Sequence, residues 1–332
     1  MHLRKWAFMW GKLIQDWKHK HPGVPEKAEI KSSRLGPYYL LFEDDFKKLN
    51  KLLVSFDKVG IPLSESYIDV QENGLHYYPI SIGQYGLGVF NSYHQTGDQE
   101  KKARFLKIAD WFVNTQTVEP GKGCHWLTDV PKPEYGISKP WKSAFTQSRA
   151  ISILLRAWQM THEERYYKPA AGALIPFTLS AGDGGVAVDR EWSATFYEEY
   201  VAEYPTRVMD GHLFALLGLF DGVRALKPGP EQLLARQLFD EGVQGLIKQL
   251  PLFDLGNWVL FNRCDVPGYP NPDLCTRNYM ILVIKLLKII HMLTDDLVLL
   301  DYHHKFSGYL KLPNILRMYR MKYKTLKSLN RI

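Results

Sequence analysis

The chain has 332 residues, 45% of them hydrophobic and 13% aromatic, and a formal net charge of +7. That length holds one large domain or two small ones with an ordinary core, and the positive balance points to an acidic partner: a polyuronate, a nucleic acid or an anionic membrane surface. Three cysteines without CxxC spacing exclude a disulfide framework and a zinc ribbon, and no apolar run is long enough for a membrane span, so a soluble, cytoplasmic protein is expected.

Trp6, Trp10, Leu13, Ile14 and Trp17 fall on one helical face opposite Lys5, Lys12, Asp16 and Lys18. The preferred reading is a helix docked on the domain as a cover. The alternative is a peripheral contact of residues 5–17 with the inner membrane face. Pro22-Gly23, Pro25, Gly36-Pro37 and Gly60-Ile61-Pro62 break the segment to about Asn73 into irregular structure with a few short strands. Residues 1–76 are therefore read as an N-terminal cover and 77–332 as the catalytic unit.

Beyond Tyr77 the pattern becomes amphipathic helices in pairs. Ile82–His94 turns at Thr96-Gly97-Asp98 into Gln99–Thr115, and Ala144–Met160 turns at Thr161-His162-Glu163 into Arg165–Leu179. Met209–Leu226 breaks at Lys227-Pro228-Gly229-Pro230 before Glu231–Gln249. Asn278–Leu293 turns at Thr294-Asp295-Asp296 before a last helix near Leu297–Leu312, and the basic Arg317–Arg331 tail reads as a solvated terminus or an anion contact. Gln84, Gln147, Asp210 and Asn278 open the first members at spacings of 63, 63 and 68 residues. Such a repeat predicts an all-α fold, an incomplete α/α toroid whose inner helices aim their N-termini at a common cavity. The Gly- and aromatic-rich connections Pro120–Trp141 and Ala181–Tyr204 favour a glycan cleft over a plain solenoid.

No phosphate loop, nucleophile elbow, metal-spaced His cluster or nucleic-acid motif is present, so neither a metal nor a cofactor nor a nucleic acid is expected. A lone His212 reads as structural. The acidic, tyrosine-rich stretch Phe196-Tyr197-Glu198-Glu199-Tyr200 through Thr206 stands just before the third inner helix. Carboxylates and phenols without a metal are the parts of glycoside hydrolysis or of proton transfer at carbon.

From Tyr77 to about Leu312 the chain resembles the helical C-terminal domain of the D-glucuronyl C5-epimerases. The resemblance rests on Tyr78-Pro79 with Ile82-Gly83-Gln84-Tyr85-Gly86-Leu87, on Ser143-Ala144 with Gln147, on Tyr197-Glu198-Glu199-Tyr200 through Asp210-Gly211, and on Leu250-Pro251-Leu252-Phe253-Asp254 with Asn278-Tyr279. Carried over by motif, it implies Glu199, Tyr200 and Tyr279 as catalytic residues. For binding a uronate-containing polysaccharide or oligosaccharide it points to Tyr78, Gln84, Tyr85, Gln147, Tyr204 and Asp210, with Arg149, Arg263 and Arg277 as candidate cations for the substrate carboxylate. It also suggests a homodimer, by analogy with the animal enzymes.

Four departures stand out. Phe261 replaces the tyrosine of one family motif, that motif's Arg is displaced to Arg263 or lost, Met280–Val283 replaces a polar HTTH, and the family's Pro-Thr falls four residues late at Pro205-Thr206, a slip that would promote Glu203 and Tyr204. The implied reaction removes the C5 proton of a uronate and returns one from the opposite face. A polyuronate lyase, a glycoside hydrolase using Glu199 with Asp210 or Asp254, and a non-catalytic glycan-binding solenoid are the alternatives.

Overall fold

A computed structural model describes residues 20–44, 53–66 and 74–331, with positions 7, 10, 11, 14 and 16–18 of an N-terminal helical stretch. Trp6, Leu13, Lys5 and Lys12 lie outside the described residues. Helices dominate, as expected, and the strands are two to four residues long.

A short helix α1 (Lys27–Lys31) precedes an antiparallel sheet of β1 (Leu53–Phe56), β2 (Pro62–Glu65) and β3 (Leu75–His76). Two helical hairpins follow: α2 (Pro79–Thr96) with α3 (Gln99–Thr115), and, after the hairpin β4 (Thr117–Glu119) and β5 (Gly123–His125), α4 (Ala144–Thr161) with α5 (Glu164–Gly172) and α6 (Ile175–Thr178). The strands β6 (Ala187–Val188) and β7 (Phe196–Tyr197) lead into α7 (Met209–Ala225) and α8 (Pro230–Phe253), then α9 (Arg277–Thr294), α10 (Leu297–Ser307) and α11 (Leu312–Ser328).

The helix ends are written locally. Asp98, Ser143, Thr276 and Asp296 each accept a backbone N–H from the first turn of the helix they open, and Gly97, His162 and Asp295 close helices in the left-handed conformation. Four boundaries differ from expectation. The helix expected near Leu297–Leu312 ends at Ser307. The return helix of the second hairpin splits after Gly172, where Cys124 of β5 packs so closely that a Cβ would lie 2.6 Å from its sulfur. Helix α8 continues through Pro251 to bury Leu250 and Phe253. The basic tail is a helix, started by Pro313 and anchored by Ile315 and Met318.

The first members of the hairpins pack side by side in the order α2, α4, α7, α9, each backed by its own return helix. The α4–α7 contact is the closest, because Gly218 lies against the backbone and side chain of Ser148 and a Cβ there would overlap both. Gly218→Ala is expected to destabilise the fold by about 1–3 kcal/mol, read as a lowered midpoint in denaturant.

Chain 33–44 is bonded to three of these helices, α2, α4 and α7. The Leu35 N–H donates to Gln159 (2.8 Å), the Tyr38 N–H to Asn91 (2.8 Å) and the Tyr39 hydroxyl to Asp221 (2.8 Å). Asp221 and Arg156 are both fully buried and bonded at 2.7 Å, and Arg224 completes the network through Tyr39 (3.2 Å). At the other end, Asp16 accepts the Asn278 N–H (2.6 Å) and the Tyr319 hydroxyl, while Trp17 stacks on Tyr319. The described part of the N-terminal stretch is thus docked on α9 and α11.

Candidate active site

The N-termini of α2, α4, α7 and α9 gather functional groups because each first member opens with a polar residue. The centre is the start of α7. Glu199 follows β7 and is buried against Gly211, where a Cβ would overlap its side chain. A glycine at 211 is therefore what lets the carboxyl reach the helix terminus.

Asp210, one residue earlier on the same terminus, is also buried, and one of its carboxyl oxygens has no hydrogen-bond partner. Burial first, and then the neighbouring Asp210 charge, push the Glu199 carboxyl up to about 8, against the pull of the Tyr200 hydrogen bond and the Lys132 charge. Burial raises Asp210 as well, opposed by the backbone N–H groups of Asp210 and Gly211. Two carboxyls buried together keep a proton into the neutral range, so the pair is able to take up or release one there.

Both groups hold protons more tightly folded than unfolded. Their contribution to stability is complete below the ordinary carboxylate range and is lost as pH rises through about 8. Asp210→Asn is expected to flatten that slope. The same substitution removes the like charge, so the acid limb of any rate carried by Glu199 moves to lower pH, which a pH profile checks.

Glu198, the preceding carboxylate, has a different part. It accepts the backbone N–H groups of Thr206 (3.1 Å) and Arg207 (3.0 Å) and the Thr206 hydroxyl, folding the loop 199–206 onto itself. Arg207 is in turn held by Asp189 and Asp265, both at 2.6 Å. The four-residue delay of Pro205-Thr206 is accommodated by this closed loop. It buries Glu199 and Tyr200 and leaves Glu203 and Tyr204 exposed.

Tyr200 is wedged between Trp141 (ring centroids 5.0 Å) and Tyr135 (5.1 Å), Trp141 meets Tyr78 at 6.2 Å, and Tyr135 stacks on Tyr269 at 5.4 Å. Asn262 donates to the hydroxyls of both Tyr135 and Tyr269. Most of these rings are buried, so they fix Tyr200 in place rather than offer a face to a sugar.

Lys132 is the cation of the site, and sequence reasoning missed it. Its ammonium lies 5.0 Å from the Tyr200 ring centroid, acts on Glu199, and pairs with Glu134 at 2.6 Å. Burial would raise Glu134, but Lys132 and Arg331 hold its carboxyl at about 2. The only signal was membership of the aromatic-rich 120–141 connection.

Tyr279 stands at the first turn of α9, 40% exposed, with its ring edge on Phe261 at 5.1 Å. The Phe261 carbonyl accepts the Met209 N–H (3.2 Å), next to Asp210. Burial, and then the Asp210 charge, raise the Cys275 thiol. Tyr279 is thus linked to the start of α7 through Phe261.

The other sequence candidates are engaged elsewhere. Tyr85 is buried, its hydroxyl receiving Arg104 (3.3 Å). Gln147 donates to the carbonyls of Cys124 and Ala173, and Gln84 accepts from Arg149 (3.3 Å). Arg149 is fully buried among Tyr38, Phe42, Phe145 and Phe214, with two of its nitrogens unpartnered. Arg263 donates to Gln249 (2.9 Å), and Arg277 to the Asp16 carbonyl (3.1 Å) while lying over Trp17. His212 accepts the Tyr197 N–H (2.9 Å), and burial lowers it to about 3, a neutral packing residue.

Comparison with known proteins gives this geometry a context. Residues 121–308 match the family described as D-glucuronyl C5-epimerase C-terminus. The D-glucuronyl C5-epimerase of Caenorhabditis elegans is 30% identical over 239 residues, which are 69% of this chain and 38% of that one. An uncharacterised protein of Methanocaldococcus jannaschii is 27% identical over 249 residues, 70% of this chain and 77% of its own length. The chain therefore spans well under half of the worm enzyme and most of the archaeal protein.

Proposed function

The chain belongs to the family of the D-glucuronyl C5-epimerase C-terminus, and from that premise we propose that it epimerises C5 of a uronate within an acidic polysaccharide or oligosaccharide. The observation that carries this reading is the Glu199 carboxyl buried beside Asp210 at the opening of α7, pushed up to about 8 chiefly by burial, with Tyr200 bonded to it and Tyr279 linked to that opening through Phe261. Worm enzyme similarity supports the substrate class.

In this mechanism the Glu199 carboxylate takes the C5 proton, and the electron pair left on carbon delocalises into the uronate carboxylate. The Tyr279 phenol returns a proton to the opposite face. Tyr279 then recovers its proton from water, to which it is exposed, and Glu199 releases its own. Tyr200 orients the Glu199 carboxyl through their hydrogen bond. Lys132 supplies positive charge where the substrate carboxylate gains negative charge. With Phe261 in place of a phenol, the reaction is carried by Glu199 and Tyr279 alone.

Incubation with glucuronate-containing polymers in deuterated water tests the reading. Deuterium at C5 with both epimers in the product is expected. Its absence across heparosan-like and other polyuronates overturns the proposal, and appearance of an ultraviolet-absorbing unsaturated uronate with chain shortening assigns a lyase instead.

A further inference from the structure

The helix α11 lies beyond the family match, which ends at residue 308. It has one face packed inward through Ile315, Met318 and Thr325 and contains no acidic residue. Its outer side carries two kinds of group. Leu312, Leu316, Tyr319 and Tyr323 recur at helical spacing, with Leu312 and Leu316 each 61% exposed. Arg317, Arg320, Lys324 and Lys327 are exposed beside them and have no ion-pair partner among the described residues.

Tyr319 joins this stripe to a second one. Its ring stacks on Trp17 at 6.5 Å, and Trp17 continues at helical spacing to Ile14 and Trp10, which are 52% and 59% exposed. Two amphipathic stretches from opposite ends of the chain therefore meet in one apolar strip bordered by free cations. Arg320, Tyr323, Lys324, Lys327 and Ser328 form one open face of α11.

We propose that this strip docks the protein on an anionic lipid surface. The aliphatic and indole groups enter the headgroup and acyl boundary, and the cations meet lipid phosphates. Charge argues against a second copy of the chain, because two such faces repel each other. Chemistry argues against a soluble polyanion, because Ile14, Leu312 and Leu316 gain nothing from a hydrated glycan, whereas burying each in hydrocarbon is favourable. Asp16 accepts the Asn278 N–H, so the docked face lies next to the N-terminus of α9, where Tyr279 stands.

The test is sedimentation of the full chain with vesicles of phosphatidylcholine alone or with phosphatidylglycerol as about a third of the lipid. Strong partition to the anionic vesicles, weakened by salt, is expected. A Leu312→Ser/Leu316→Ser variant and an Arg320→Glu/Lys324→Glu variant should each lose at least about tenfold in partition, with unchanged circular dichroism. Equal binding to both vesicle types, or wild-type binding by the variants, overturns the proposal. So does vesicle indifference combined with loss of polyuronate binding in the charge variant, which would give the face to the glycan, or a concentration-dependent dimer abolished by Leu316→Ser. None of these measurements uses catalysis, so their failure is separate from failure of the epimerase reading.

Discussion

Glu199→Gln is expected to lower C5 hydrogen exchange by about 10²–10⁴-fold, the contribution of one positioned acid or base. The substitution keeps the shape of the side chain and removes the ionisable group. It also removes one of two buried carboxyls that repel each other, so the thermal midpoint should stay level or rise rather than fall. Loss of activity without loss of stability separates chemistry from folding. Tyr279→Phe gives the complementary result. With no phenol on the second face, any remaining exchange is confined to the face served by Glu199, and a single epimer returns labelled but not inverted. If Glu199→Gln retains wild-type exchange, Glu199 is not the base, and the exposed Glu203 does not replace it without opening the loop that Glu198 closes.

Asp221→Ala is expected to cost about 3–5 kcal/mol of folding stability, the range for removing one partner of a buried ion pair. The carboxylate is fully buried and receives Arg156, Arg224 and the Tyr39 hydroxyl. Its loss strands Arg156 without a counter-charge and releases Tyr39, and with it the chain 33–44 that is bonded to α2, α4 and α7. Chemical denaturation reads the effect directly. A loss below about 1 kcal/mol would mean that the arginines find water or new partners and that chain 33–44 is not held by this network.

The helical hairpins were legible because their signals are local. Apolar periodicity, the capping oxygens of Asp98, Ser143 and Asp296, and the left-handed positions at Gly97 and Asp295 act over a single turn and are read without knowing what packs where. Composition did not say which aromatic residues are core. Trp141, Tyr135 and Tyr78 are buried near Tyr200, whereas Trp192, Tyr204 and Tyr279 are exposed, because a ring fills volume as readily as it offers a flat face. The tail of Arg and Lys after Lys311 looked like a solvated terminus. Ile315 and Met318, at helical spacing within it, were the cue that it packs.

By itself the sequence determined which segments form the paired helices, most of their ends, and which carboxyls and phenols stand at the openings of the first members. Tertiary structure alone decided which of those groups meet. Lys132 reaches Glu199 and Tyr200 from nearly seventy residues away, Arg149 turns into an aromatic interior, and Arg277 is taken by Trp17 and the Asp16 carbonyl from the far end of the chain. The division has a physical cause: helix signals depend on hydrogen bonds between neighbours in sequence, whereas the ionisation of a buried carboxyl depends on its distance from charges brought up by packing, and no local pattern encodes that distance.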